Sequence, residues 1–573
     1  MKLRHLHGPR PGGVSIGVFA ALVSLGVLAC APADGQTYDV VITHGLVMDP
    51  ESGLHAVRNV GISDGRIRAI STDSLTGKRN IEGRGLVVAP GFIDLHEHGQ
   101  EPRNYQFQAH DGVTTSLELE LGTDDVQKWY AVRQGKSLIN FGVSAGHIPM
   151  RIHVMTGQAV PSLSAMNTPM AEAANHRELT AEELARVRAA VERGLQEGAL
   201  AEGMGINYTP GASHWEILEM FRLAAKYHAP LQVHLRYSSL LEPQSGMAAL
   251  EEVIAAAAVT GAQLHVAHIT SMGLKYTSQF IEMIAGARRQ GLDITTECYP
   301  YTASSTNLNS AVFDEGWQQR YDITYKDLQW AETGERLTPE SFARYRQQGG
   351  LVVIHEIPEA AVRAAVADPS IMIASDGLPI TGPKIHPRGQ GTFARVLGHY
   401  VREEKALDLM TALRKMTLLP AQLLEKRAPS FKNKGRLRVG ADADVTVFDP
   451  IRVIDKATFE EPLQYSEGIV FVLVNGVPVV KDGQLVEGVY PGRQARAPAS
   501  SAPTPNDGVA KAVYPRFHRN EIGHDLRAAL SVSPITKGRL VAASRRSGRP
   551  AGCDPSETFA SGRFRVSMLA CFH

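Results

Sequence analysis

Apolar and polar positions follow two different rhythms along this chain. Between Tyr38 and Val88 the pattern is one of short strands, YDVVITHGLVMD, VRNVGISDGRIRAIS and RNIEGRGLVVAP, punctuated by glycine turns. Segments of the same character return far downstream between residues 434 and 488, as KGRLRVGADADVTVFDP and GIVFVLVNGVPVVKDGQLVEG. A small strand-rich sheet needs a second layer to cover it. The two flanks, 38–88 and 431–495, are therefore predicted to build one split β-sandwich domain.

The middle, 89–430, alternates apolar strand-like runs with stretches of helical spacing. The strand candidates are FIDLHEH, VTTSLELEL, FGVSAGHI, GMGINY, LQVHLRY, LHVAHIT, DITTECYPY and IMIASDG. Between them lie segments such as LTAEELARVRAAVERGLQEG and GMAALEEVIAAAAVTG, whose apolar residues fall on one helix face. Eight strands alternating with helices predict an α/β fold, a (β/α)8 TIM-like barrel. The stretch of about 307–368 is too long for a plain loop, and is expected to be an insertion folding over the barrel mouth as a lid or a structural elaboration.

The ends have a different composition. MKLRHLHGPRPGG, then the apolar run Val14 to Ala29, then Cys30 give the basic, apolar and small-residue order of a secretory signal over residues 1–30. Val27-Leu28-Ala29-Cys30 resembles an imperfect lipoprotein box, and Ala31-Pro32-Ala33 offers an ordinary cleavage site. Either route predicts an exported protein, periplasmic or anchored to a membrane through an N-terminal lipid. Beyond Pro491 the chain turns to a linker composition, RQARAPASSAPTPNDG, and residues 496–573 are expected to be a linker and tail, which from Val509 carries 11 Lys+Arg against 4 Asp+Glu, the composition of a disordered basic tail.

Across all 573 residues, 59 Lys+Arg balance 59 Asp+Glu, so no surplus of positive charge argues for nucleic acid as a partner. The four cysteines are scattered without a CxxC pair, so neither a disulfide framework nor a thiolate zinc site is indicated.

The candidate chemistry sits at strand ends. With a side-chain period of two, Asp94, His96 and His98 of FIDLHEHG face one way, and burying them calls for a compensating cation. In VTTSLELELG, Glu118 and Glu120 share a face. Two such carboxylates repel unless a cation lies near or one is protonated, and one of them could instead pair with an arginine at the rim. Glu120 lies nearer the C-terminal end, where barrel active sites form, and is the preferred metal-bridging ligand. His234 and His268 close two further apolar strands, and Asp376 closes the eighth, where a carboxylate can bind metal and accept the proton of a metal-bound water. An HxH pair on strand one, a carboxylate on strand two, histidines on strands five and six and an aspartate on strand eight form an ordered set far more specific than any member.

That set is the pattern of the amidohydrolase superfamily, and over residues 38–495 the chain resembles its D-aminoacylase (N-acyl-D-amino-acid deacylase) branch. The motifs that carry the resemblance are VVAPGFIDLHEH, DGVTT, YTPG, ECYPYTASST, ASDG, HPRGQGTFARVLG, KMTLLPA and RVGADADVTVFDP. The resemblance implies zinc, one or two ions, with His96 and His98 at one position, His234 and His268 at the other, Glu120 bridging, and Asp376 as both ligand and base. It also implies Tyr299 and Arg388 near the substrate carboxylate, and places His147, with Arg151, in a segment the family writes GHxxLR, as a further substrate-binding group. Two positions depart from the pattern. D-aminoacylases commonly carry Cys where this chain has Glu120, and Lys two places after the strand-six histidine, where this chain has Thr270. Lys275 is the nearest substitute in sequence. GMGINYTPG holds no lysine, so the carbamylated lysine of many superfamily members is not expected.

The expected reaction is hydrolysis of the amide of an N-acyl amino acid, of D configuration by the resemblance, by metal-bound hydroxide with Asp376 moving the proton. The alternative within the superfamily is a dipeptide or cyclic-amide hydrolase, isoaspartyl-dipeptidase-like or dihydroorotase-like. A non-catalytic barrel would be expected to have lost ligands that this chain retains. The expected partner is a small N-acyl amino acid or short peptide, with a homo-oligomer left open.

Overall fold

The computed structural model describes residues 37–499, apart from 161–164 and 167. The leader over 1–30 and the tail beyond 499 lie outside the described residues. The chain enters through five strands: β1 (Thr37–Asp49), β2 (Leu54–Ser63), β3 (Arg66–Ser71), β4 (Thr76–Glu82) and β5 (Val87–Pro90). β1 runs antiparallel to β2, while its first half pairs in parallel with β4 and its second half with β5. A break in register between Ile42 and Gly45 bends β1 so that one strand serves three neighbours. Glycine suits the bend, since a Cβ at Gly45 would lie 2.4 Å from Val88 Cγ2.

Seven parallel strands follow: β6 (Phe92–Asp94), β7 (Val113–Thr123), β8 (Asn140–Gly146), β9 (Glu202–Gly205), β10 (Leu231–His234), β11 (Leu264–Val266) and β12 (Ile294–Cys298). They are covered on both faces, and β6, β8, β9, β10 and β11 are buried along their whole length. The helices between them start where the sequence places polar caps. Ala181–Gln196, for example, opens on a capping box in which Thr180 Oγ1 accepts from Glu183 N at 3.2 Å and the Glu183 carboxylate accepts from Thr180 N at 2.9 Å.

After β12 the chain makes an antiparallel three-stranded sheet, β13 (Ser304–Asn307), β14 (Leu328–Trp330) and β15 (Leu351–Ile354), with β15 in the centre. Helix Pro339–Gln348 packs on it, Tyr345 stacking on Trp330 with ring centroids 4.2 Å apart. The eighth barrel strand, β16 (Met372–Ile373), pairs with β12, giving the order β16-β12-β11-β10-β9-β8-β7-β6. The remaining seam is stitched by His98 N donating to Gly377 O at 2.8 Å and Ser375 N donating to Asp94 Oδ1 at 3.0 Å. The fold is an α/β barrel of eight parallel strands, and its last seam brings the ends of strands one and eight together.

The chain then returns to the first sheet through β17 (Val445–Phe448), β18 (Ile469–Val474), β19 (Val477–Lys481) and β20 (Gln484–Leu485). β17 pairs with β5, so both flanks share one nine-stranded sheet. Val40, Ile62, Ile81, Val88, Val445 and Leu473 meet in its common core. Beyond it, residues 493–497 pack back on the barrel. Ala495 N donates to Phe141 O at 2.7 Å and Ala497 N to Gly198 O at 3.0 Å. At the start of the expected linker, Ala497 is buried and Arg496 Nε donates to Glu197 O at 2.7 Å. Among the described residues no helix is long and apolar enough to cross a membrane.

Candidate metal centre

The C-terminal ends of five barrel strands deliver the polar groups. His96 and His98 lie just past β6, Glu118 and Glu120 on β7, His234 at the end of β10, His268 two residues past β11 and Asp376 three residues past β16. His268 (φ 29°) and Asp376 (φ 50°) both occupy the left-handed region, an uncommon backbone state for such residues that a well-packed surround must hold.

Two donor sets converge, and Glu120 belongs to both. The first joins His96, His98, Glu120 and Asp376; the second joins Glu120, His234 and His268. Glu120 Oε2 lies 3.1 Å from His96 Nε2 and 3.3 Å from His98 Nε2. Its other oxygen, Oε1, lies 2.9 Å from His234 Nδ1 and 3.3 Å from His268 Nε2. Asp376 Oδ1 completes the first set, 3.4 Å from His96 Nε2 and 3.3 Å from His98 Nε2.

For His96, His98 and His268 the outward ring nitrogens are held in a way that leaves the inward ones free to ligate, whereas the outward Nε2 of His234 is buried without a hydrogen-bond partner. His96 Nδ1 lies 2.6 Å from Glu297 Oε1, His98 Nδ1 lies 2.7 Å from Glu118 Oε2, and His268 Nδ1 lies 2.9 Å from Ser271 Oγ. An Nδ1–H donated outward fixes the tautomer with a lone pair on Nε2, the arrangement that metal-ligating histidines use. The electrostatics point the same way. Burial works against charge on His96, but the carboxylates of Asp376, Glu120 and Glu297 outweigh it and raise the imidazole well above its usual range. His98 is raised in the same way, against burial, by Glu118, Asp376 and Glu120. Burial would raise Glu120, yet His96, His234 and His268 hold it well below the carboxylate range. A pocket that draws protons onto buried imidazoles is one that calls for positive charge, and borderline-soft nitrogen with carboxylate oxygen suits zinc.

The centre opens into a cleft enclosing about 900 Å³, part of it open to solvent. Tyr299 and Arg388 line it. Arg388 Nη1 lies 2.9 Å from Asp376 Oδ2, Nη2 donates to Ser305 O at 3.3 Å, and the guanidinium sits 4.9 Å from the centre of the Tyr299 ring. Burial tends to raise Asp376, but Arg388 and then His96 pull it far below its ordinary value, so the carboxylate is ionised. The insertion walls one side through Ser304, Ser305, Tyr321, Ile354 and Glu356.

The family model described as the amidohydrolase family matches residues 148–480. An N-acyl-D-glutamate deacylase of Alcaligenes xylosoxydans xylosoxydans is 31% identical, the match covering 82% of this chain and 99% of that protein. The chain belongs to the amidohydrolase family. It is also 30% identical to a D-aminoacylase of the same organism, over 80% of this chain and 98% of that one. Among solved structures, the N-acyl-D-glutamate deacylase of Bordetella bronchiseptica, complexed with zinc and a phosphonate mimic of the tetrahedral intermediate, superposes with a TM-score of 0.68 at 28% identity, covering 81% of this chain and all of that one. These relatives put this amidohydrolase in the N-acyl-D-amino-acid deacylase branch.

Several residues of this amidohydrolase differ in placement from the sequence-based expectation. His147 does not line the cleft. It is buried with Nε2 2.8 Å from Glu216 Oε1, which Arg151 Nη1 also approaches at 3.3 Å, so the expected substrate contact is replaced by a buried charge cluster behind the wall. Asp94 faces the seam rather than the donors, accepting from Ser375 N at 3.0 Å and His96 N at 3.2 Å. Lys275 is half exposed, 3.7 Å from Asp322 Oδ2 and outside the cleft, so it does not replace the lysine absent at Thr270. Glu118 meets His98 rather than a rim arginine. Glu297, which His265 Nε2 at 3.0 Å shares with His96, is a functional residue that the sequence reading does not single out; its only local signal is an acid at the end of the strand ITTEC.

Proposed function

We propose that this amidohydrolase hydrolyses the amide bond of N-acyl-D-amino acids. The observation that carries the reading is Glu120 reaching both histidine pairs while Asp376, ionised by Arg388, faces the same point. His96, His98 and Asp376 would hold one ion, His234 and His268 the other, with Glu120 shared between them. Zinc there supplies Lewis acidity, bringing the pKa of a water toward neutrality and polarising the amide carbonyl. Asp376 takes the water's proton on its carboxylate and delivers it to the departing amine nitrogen. Arg388 keeps Asp376 deprotonated until that moment. Tyr299 and Arg388 flank the place where a substrate carboxylate would orient the scissile bond. Glu118, Glu297 and Ser271 fix the imidazole tautomers.

The similarity to an N-acyl-D-glutamate deacylase and a D-aminoacylase supports the D configuration. The test is amine release from N-acetyl-D-amino acids before chelation, after it, and after restoring zinc. Activity that disappears and returns supports the reading, and activity indifferent to chelation overturns it.

The reading extends to location. The basic and apolar leader ending at Cys30 supports export, with lipidation of Cys30 as the route to a membrane. The mass of the mature N-terminus tests this: a diacylglyceryl-modified Cys30 indicates an anchor, cleavage after Ala33 a free exported enzyme, and an intact Met1 contradicts export.

A further inference from the structure

The walls of the cleft carry a charge that the metal chemistry does not use. Glu356, just past β15, lines it, with Oε1 accepting from Ser304 Oγ at 2.6 Å. Among the described residues no lysine, arginine or histidine acts on its charge, and burial, opposed only by the Ser304 hydrogen bond, pushes its carboxyl up to about 7. Glu172, on helix Pro169–Asn175, lines the same cleft. Its ion-pair partner is His176, Nδ1 at 3.9 Å, and burial raises it to about 7 as well. Among the described residues lining the cleft, Arg388 alone is a lysine or arginine, and Asp376 already engages it. Thr270 stands at the position where the family commonly has lysine, and Lys275 points elsewhere.

An anionic side chain entering this cleft would meet two further carboxylates and no uncommitted cation. A cationic one would give a desolvated carboxylate the opposite charge it lacks, and pairing would draw Glu356 into its ionised form. The carboxylates of the cleft therefore oppose the acidic substrate named for the N-acyl-D-glutamate deacylase relative. We propose that Glu356 is a specificity-determining residue that selects substrates bearing an ammonium or guanidinium group. The inference rests on the deacylase reading of the same cleft, and deepens it by naming the substrate class.

The cation could belong to the amino-acid side chain or to a free amine on the acyl group, and the substrates of the test separate the two. The zinc-loaded full chain is assayed on N-acetyl-D-lysine, N-acetyl-D-arginine, glycyl-D-norleucine, N-acetyl-D-norleucine and N-acetyl-D-glutamate. We expect kcat/KM for at least one cationic compound to exceed that for N-acetyl-D-norleucine by about tenfold or more, a difference of about 1.4 kcal/mol, with the glutamate derivative slowest. A lead for lysine and arginine assigns the cation to the side chain, and a lead for glycyl-D-norleucine assigns it to the acyl amine. In Glu356→Gln the preference over norleucine should fall to within about threefold. Equal or faster turnover of the neutral or acidic compounds, or a preference untouched by Glu356→Gln, overturns the proposal. Calorimetric binding of N-acetyl-D-lysine, glycyl-D-norleucine and N-acetyl-D-norleucine to both proteins decides the matter apart from turnover. Glu356-dependent binding of either cationic compound without hydrolysis of any compound would sink the deacylase reading and leave the specificity proposal standing. Binding of both cationic compounds no tighter than that of N-acetyl-D-norleucine would sink the proposal.

Discussion

Arg388 Nη1 lies 2.9 Å from Asp376 Oδ2, while the other oxygen of the same carboxylate lies 3.3 Å from His98 Nε2 and 3.4 Å from His96 Nε2. The guanidinium thus acts on the base from the side away from the donor set. Because Arg388 lowers the Asp376 pKa, removing it raises that pKa, and the group must lose its proton before it can act as a base. Arg388→Met is expected to move the acid limb of the kcat/KM profile to higher pH and to cost about a hundredfold or more at neutral pH. A pH–rate profile checks both, and an unmoved acid limb would separate Arg388 from the state of Asp376.

Asp376→Asn keeps an oxygen that can face the metal but cannot take a proton. Zinc content is expected to persist while turnover falls by about 10²–10⁴, the range for loss of general acid–base catalysis. His234→Ala should do the reverse at the level of composition and lower zinc per chain. Elemental analysis beside kcat measures the pair, and substantial turnover by Asp376→Asn would remove it from the base's role.

Glu118 and Glu297 are not in the donor sets, yet each orients one imidazole of those sets, His98 and His96 respectively. Glu118→Gln and Glu297→Gln are expected to weaken zinc binding about 10- to 100-fold. Competition against a chelator of known affinity reads this directly. Unchanged affinity in both variants would make their contacts incidental.

A stability prediction lies away from the cleft. Lys415 is buried, and its ammonium donates to Ala365 O at 3.2 Å and also to the carbonyls of Val366 and Asp368, where helix Glu359–Ala367 ends. Asp368 O also accepts from Ile371 N at 3.3 Å, but the Ala365 and Val366 carbonyls, in the last turn, have no partners further along the helix. Lys415→Met strands those two and is expected to cost about 2–4 kcal/mol of stability, from about 1–3 kcal/mol per unsatisfied group. The denaturant midpoint should drop while zinc content holds, and an unchanged midpoint would show that water or the chain supplies other donors.

The barrel was legible because its strands are apolar runs ending in chemistry. Period-two reading put His96 and His98 together, and Glu120 was separable from Glu118 by lying nearer the strand's C-terminal end. What period two does not encode is where a short strand stops. β6 ends at Asp94, so the face shared by Asp94, His96 and His98 is not a straight strand's face, and Asp94 turns to the seam instead. Partners distant in sequence were equally hidden. Glu297 is 201 positions from His96, and nothing local distinguishes it from any buried acid. His147 misled because a motif fixes a residue type but not the direction of its side chain, which here is set by Glu216 on another helix. The carboxyl groups of the cleft beyond the metal centre, Glu172 and Glu356, come together only through the fold.

The central claim, amide hydrolysis selective for N-acyl-D-amino acids at a Glu120-bridged metal centre, is tested most directly by one comparison. Zinc-loaded protein is given paired N-acetyl-D- and N-acetyl-L-amino acids with basic, neutral and acidic side chains, and amine release is measured. Hydrolysis confined to the D series is the predicted result. Hydrolysis of the L series, or of neither series, by protein shown to carry zinc would contradict it.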